Sequence, residues 1–142
     1  MKPTILILSD RNETRGPMLE GWIRYYSKNA VDVASAGLIP GKLNLIAAKA
    51  MMEAVIDITK HKPVAVEQVK SKNFDWVITL TEQAQLEAAK IFHESKIVHK
   101  SIDYPLNEGD EDMEKLKKHR KTVNELEEFA IEFIHTNINS LI

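Results

Sequence analysis

Short apolar runs alternate along this chain with longer segments of helical period, and that alternation is the strongest constraint on its fold. Thr4–Leu8 is almost continuously apolar, as a strand covered on both faces of a parallel sheet must be. Val31–Ser35 alternates as a second strand and ends at Gly37; Trp76–Leu80 is a third, and Lys96–Ile102 a weaker fourth. Between the strands, Met18, Leu19, Trp22, Ile23 and Tyr26 recur at helical spacing behind Pro17, whose missing N–H costs nothing in a first turn. Leu43–Val55 and Thr81–Phe92 read as further helices, and a helical period runs from about Glu111 towards the C-terminus. The pattern predicts a doubly wound, three-layer α/β domain over residues 1–142, with a central four-stranded parallel sheet and helices on both faces. Ligands of such folds bind in the crevice at the carboxyl ends of the strands.

The segment that reaches this crevice first is Ser9–Pro17. A strand, a short loop with an arginine near its end and a helix N-terminus together form an oxyanion cradle: backbone N–H groups and the helix dipole converge, and the guanidinium can grip a tetrahedral anion bidentately. Ser9 and Arg15 have the spacing of a nucleophile and its anion-binding arginine. The chain contains no cysteine, which excludes disulfides, thiolate metal sites and thiol catalysis.

A net charge of -2 gives no electrostatic case for nucleic acid or a membrane surface. No apolar run approaches the ~20 residues of a membrane span, and no signal-peptide core is visible, so a cytoplasmic location is expected. His93, His99, His119 and His135 lack metal-ligand spacing and are expected at the surface; no metal and no cofactor are expected. The block Asp110–Lys121, acidic and then basic, reads as a solvated helix start. Trp22 and one of Tyr25 and Tyr26 are expected in the core or at an interface, and Met51 and Met52 as core filling.

The run Ile5–Met18, followed by Ser35-Ala36-Gly37 and Pro40-Gly41, resembles the low-molecular-weight protein tyrosine phosphatases and the related thioredoxin-coupled arsenate reductases. Their signature is Val-Cys-x-Gly-Asn-x-Cys-Arg-Ser-Pro with a Ser-Ala-Gly after the second strand. Leu43-Asn44, Ile56-Asp57-Ile58 with His61, and Asp75–Thr79 extend the match over nearly the whole chain. The resemblance implies that Asn12, Ser35 and His61 form a supporting network behind the loop, and that Asn12 and Arg15 surround a bound oxyanion; Arg11, from its charge alone, is expected to add to that site.

The departures from the family pattern fall on the chemistry. Ser9 stands where the nucleophilic cysteine belongs, Arg11 at the loop glycine, Thr14 at the second loop cysteine and Gly16 at the serine after the arginine. The family's acid in an Asp-Pro pair is replaced by Tyr104-Pro105, leaving Asp103 one position early as a candidate displaced general acid. Thr81 and Ala88 occupy the further redox cysteine positions. Without a thiol relay arsenate reduction is excluded, and a serine hydroxyl needs a general base to act as nucleophile.

These substitutions lead to a family member that has lost thiol chemistry and acts as a regulatory protein holding a small oxyanion or phosphorylated group at Asn12–Arg15. The alternatives are an active phosphomonoester hydrolase using Ser9, a trap variant in which a native cysteine was changed to Ser9, and a partner-binding module whose loop is closed by Glu13–Arg15 pairing. No protein partner can be named from the sequence. Asp10 and Glu13 are the residues expected to decide whether an anion binds.

Overall fold

The structure is a computed structural model and describes residues 2–105 and 111–139. Four parallel strands form one sheet in the order β2-β1-β3-β4. β1 spans Thr4–Arg11, β2 Asp32–Ile39, β3 Trp76–Thr79 and β4 Lys96–His99. Helix α1 is Arg15–Tyr26, α2 Leu45–Glu53, α3 Glu82–Ile91 and α4 Asp112–Phe133, the last running on into a π-turn over Ile134–Ile138. The predicted doubly wound α/β architecture is the one observed.

The alternation of side chains along β1 builds both layers of core. Ile5 and Ile7 point to one face, where α1, α2 and α4 pack with Trp76 and Ile78; Leu6 and Leu8 point to the other, under α3 with Val77, Ala84 and Ala88. All four β1 residues are fully buried, which is why the run reads as continuously apolar. Trp22 fastens α1 to α4 by donating its indole N–H to the Val123 carbonyl at 3.1 Å. Beside it, the Tyr26 hydroxyl donates to Glu127, and that carboxylate pushes the phenol pKa up to about 12. Tyr25 stays 62% exposed, so of the two tyrosines Tyr26 is the one held in the packing.

Several boundaries differ from the pattern read in the sequence. β1 runs three residues further, to Arg11, and β2 to Ile39, because Ser9 pairs with Gly37 and Arg11 with Ile39 through backbone groups that hydrophobicity does not report. The presumed loop shrinks to Asn12–Thr14, and α1 opens at Arg15; Pro17 lies within the first turn, where its N–H would have had no partner. β4 stops at His99 rather than Ile102. Met51 is in the core but Met52 is 44% exposed.

α2 ends two residues before Val55. Val55 N–H donates to the Met52 carbonyl at 2.8 Å and Ile56 N–H to Met51 at 3.1 Å, a closed Schellman turn. That turn requires left-handed backbone after the cap, and Val55 adopts it with φ 61°. A β-branched residue there costs ~1–2 kcal/mol relative to glycine. Val55→Gly is therefore expected to stabilise the fold by about 1 kcal/mol and raise Tm by about 3 °C in calorimetry.

Candidate oxyanion-binding site

The carboxyl end of β1, the short turn after it and the first turn of α1 line a cleft of about 460 Å³, together with Ile39 and Tyr104. Its charged residues are Asp10, Arg11, Glu13 and Arg15. Ser9 does not line it. Ser9 is fully buried, and its hydroxyl donates to the Arg11 carbonyl at 2.9 Å. The sequence neighbours that would surround a nucleophile are present, but the hydroxyl is sealed beneath the strand extension.

Among the described residues, neither of the two acids beside Arg15 forms an ion pair with it. Asp10 accepts a hydrogen bond from the Thr81 hydroxyl at 2.7 Å, which ties β1 to the N-cap of α3. Glu13 pairs with Arg11 at 3.5 Å and lies flat against Gly41. Among the described residues Arg15 makes no ion pair; its Nη1 donates to the Ile102 carbonyl at 2.8 Å, and its guanidinium stacks over Tyr104, 5.4 Å from the ring centroid. Burial pushes the Arg15 pKa down, opposed by the charges of Asp10, Tyr104 and Asp103. The cation is thus partly stripped of water and, among the described residues, has most of its donor fork without a partner. Asp103 itself is exposed and does not line the cleft.

Thr14 is the N-cap of α1 but gives the helix no side-chain cap. Its hydroxyl instead accepts from Asn44 Nδ2 at 3.0 Å. Among the described residues the backbone donors of the first turn of α1 therefore keep no side-chain acceptor, which leaves a site of positive potential beside Arg15.

Behind the cleft, Asn12, Ser35 and His61 meet. Asn12 is fully buried; its Oδ1 accepts from His61 Nε2 at 2.5 Å and from Val64 N–H at 3.2 Å, and its Nδ2 donates to Ser35 Oγ at 2.9 Å. Ser35 passes its own proton to Glu20 at 2.8 Å, and Glu20 pairs with Arg24 at 3.0 Å. The Asn12 amide faces inwards, so the groups that reach the cleft are Arg11 and Arg15. Glu20 was not singled out from the sequence; nothing in its helical position marks it, and only the meeting of α1 with β2 reveals its role.

His119 is a correction to the sequence reading: it is fully buried rather than at the surface. Its Nδ1–H donates to the Lys115 carbonyl at 2.7 Å, so Nε2 accepts from Asn44 Nδ2 at 3.0 Å. Asn44 also caps α2 through Ile46 N–H at 2.9 Å, so one amide joins α1, α2 and α4. Burial pushes the His119 pKa down, and protonation would set Nε2–H against the Asn44 amide protons. His61 is lowered likewise, by burial first, against the opposing charge of Glu20. Both imidazoles are kept neutral by folding, so the unfolded chain binds more protons as the solution acidifies. Their contribution is complete above about pH 6.5 and is lost as the pH falls below it. Urea midpoints are expected to drop between pH 7.5 and 5, with a shallower drop in His119→Gln.

Residues 4–139 match the low molecular weight phosphotyrosine protein phosphatase family. An arsenate reductase of Halalkalibacterium halodurans is 31% identical over 125 residues, covering 88% of this chain and 90% of that protein. One from Bacillus licheniformis is 31% identical over 135 residues, covering 95% and 97%. Among solved structures, the low molecular weight protein tyrosine phosphatase of T. tengcongensis superposes with a TM-score of 0.80 at 20% identity, over 95% of this chain and 99% of that one. A mutant of the arginine phosphatase YwlE carrying a phosphorylated active-site serine superposes at 0.74 with 22% identity, over 96% and 98%. No helix among the described residues is long and apolar enough to cross a membrane. By sequence over nearly its full length, and by a fold that places an arginine at the start of the first helix, the chain belongs to the low molecular weight phosphotyrosine protein phosphatase family.

Proposed function

We propose that this chain is a non-catalytic member of its family that holds an oxyanion, free or as a phosphorylated group on a partner, against Arg15 and the first turn of α1. The observation that carries the proposal is the guanidinium of Arg15, partly buried yet without a carboxylate within 4 Å among the described residues. A desolvated fork of this kind favours a bidentate oxyanion. Arg11 adds a second positive charge at the mouth, tempered by Glu13.

Catalysis through Ser9 is disfavoured by the same geometry. A hydroxyl whose proton points at a carbonyl has no general base, and a buried oxygen cannot reach phosphorus in line. In the arginine phosphatase mutant a serine does carry the phosphoryl group. Ser9 is expected to differ: incubation with a phosphate donor should leave the intact mass unchanged.

Titration with inorganic phosphate, followed by amide shifts over Asn12–Gly16, tests the binding. The expected Kd is on the order of 1 mM, about 4 kcal/mol, and Arg15→Ala abolishes the shifts. No shift at that concentration would favour a closed, partner-binding loop instead. Hydrolysis of p-nitrophenyl phosphate that disappears in Ser9→Ala would overturn the non-catalytic assignment.

A further inference from the structure

A second groove, of about 650 Å³, runs between α1 and the segment that follows α2, and it shares no lining residue with the Arg15 cleft. Gly21 lets the two approach: a Cβ there would lie 3.0 Å from Ile56 Cγ2 and 3.3 Å from Met51 Cε. Two features of this groove face outward from the fold.

The first is its charge. Both carboxylates that line it are engaged within the chain. Glu20 is held by Ser35 and Arg24, and Asp57 is turned onto the Thr59 N–H at 2.8 Å and the Thr59 hydroxyl at 2.5 Å. Lys60 and Lys62 are exposed on the same groove and make no ion pair among the described residues. The charge of Lys60 reaches Asp57 without closing to an ion pair, so two exposed lysines stand beside acids that are already hydrogen-bonded.

The second is Val55. It holds the left-handed backbone that ends α2, where glycine is cheaper, and leaves 85% of its surface exposed on the groove. Tyr25, also on the groove, is 62% exposed. A strained residue that keeps 85% of its surface in solvent points to a contact made outside its own chain.

We propose that this groove docks an acidic segment of a partner protein carrying one apolar side chain. Carboxylates of the segment meet Lys60 and Lys62, and the apolar side chain covers Val55 and Tyr25. Charge complementarity selects the sign of the partner, and the exposed valine supplies its anchor. His61, which also lines the groove, ends on Asn12, so an occupant here adjoins the network that supports the phosphate loop.

Selection of a random dodecapeptide display library against the full-length chain tests this without presupposing the partner. Enriched peptides are expected to carry at least two Asp or Glu residues flanking Leu, Ile or Phe. Their affinity is expected to fall about tenfold in the Lys60→Glu, Lys62→Glu double variant. It should fall about threefold in Val55→Gly even as that variant melts at a higher temperature, an opposition that a purely structural role would not produce. Arg15→Ala should leave peptide affinity unchanged, which separates this site from the phosphate-binding cleft. Failure to enrich any peptide, enrichment of peptides without acidic residues, or loss of binding in Arg15→Ala would each overturn the proposal. Self-association of the chain that is abolished by the lysine reversals would assign the groove to a second copy instead, and would overturn it equally.

Discussion

Replacing Asn12 by alanine is expected to destabilise the fold by about 3 kcal/mol and to lower Tm by about 10 °C. Three neighbours lose a partner at once: the Val64 N–H, the His61 Nε2–H and the Ser35 hydroxyl oxygen. Asn12 is fully buried and Ser35 only 3% exposed, so water cannot take the amide's place without opening the packing. Each of the two donors left without an acceptor costs ~1–3 kcal/mol, and the partial relaxation of His61 towards its groove keeps the total in the lower half of that sum. Asn12→Asp is expected to fare no better. Ser35 already gives its one proton to Glu20, so it can only accept from residue 12, and a carboxylate has nothing to donate. The aspartate would also bring a second negative charge beside Glu20. Thermal melts of the two variants, with Asn12→Gln as a control that keeps the amide but not its reach, separate lost hydrogen bonding from lost volume. An Asn12→Asp protein as stable as the parent would show that the network is not what holds the loop.

The fold was legible because its strands are covered on both faces. Ile5, Leu6, Ile7 and Leu8 serve two cores, and no amphipathic helix would place four consecutive apolar residues out of water. The strand ends were not legible, since Ser9–Arg11 are polar and join the sheet through backbone groups alone. His119 was hidden by its charged neighbours. It nonetheless falls on the stripe Leu116, His119, Val123, Leu126 and Ala130, whose spacing is that of a buried helix face. At the site, the family resemblance implied the cluster of Asn12, Ser35 and His61, and the strand-loop-helix pattern located Arg15 near the end of the loop, two residues before the helix was expected to open. It could not say whether Asp10 and Glu13 neutralise Arg15. Their partners, Thr81 and Arg11, are set by the path of the extended strand, one of them 71 residues away along the chain.

Gly37→Ala is expected to be the most damaging single methyl that can be added beside the turn after β1. The new Cβ would lie 2.6 Å from Asn12 N, 2.8 Å from the Ile39 carbonyl oxygen and 2.9 Å from Arg11 C. All three are backbone atoms of the strand extension, so no side chain can swing aside. Relief requires β1 and β2 to part where Ser9 faces Gly37, which presses Gly37 towards Val64, whose carbonyl accepts from the Gly37 N–H at 2.8 Å on the other edge of β2. Overpacking of this kind costs ~1–3 kcal/mol when side chains can adjust, so a clash confined to backbone should reach or exceed the upper value. Gly41→Ala supplies the contrast. Its Cβ would meet the Glu13 side chain, with Cγ and Oε1 both at 2.5 Å, and that side chain can rotate out towards solvent. The cost there should stay below about 1 kcal/mol, but the rotation separates Glu13 from Arg11 and leaves the mouth of the cleft more positive. Phosphate is then expected to bind Gly41→Ala more tightly than the parent, while Gly37→Ala loses both the fold around Asn12 and the anion. Equal stability of the two variants in urea would mean that the strand extension, and with it the burial of Ser9, yields far more easily than its backbone contacts indicate.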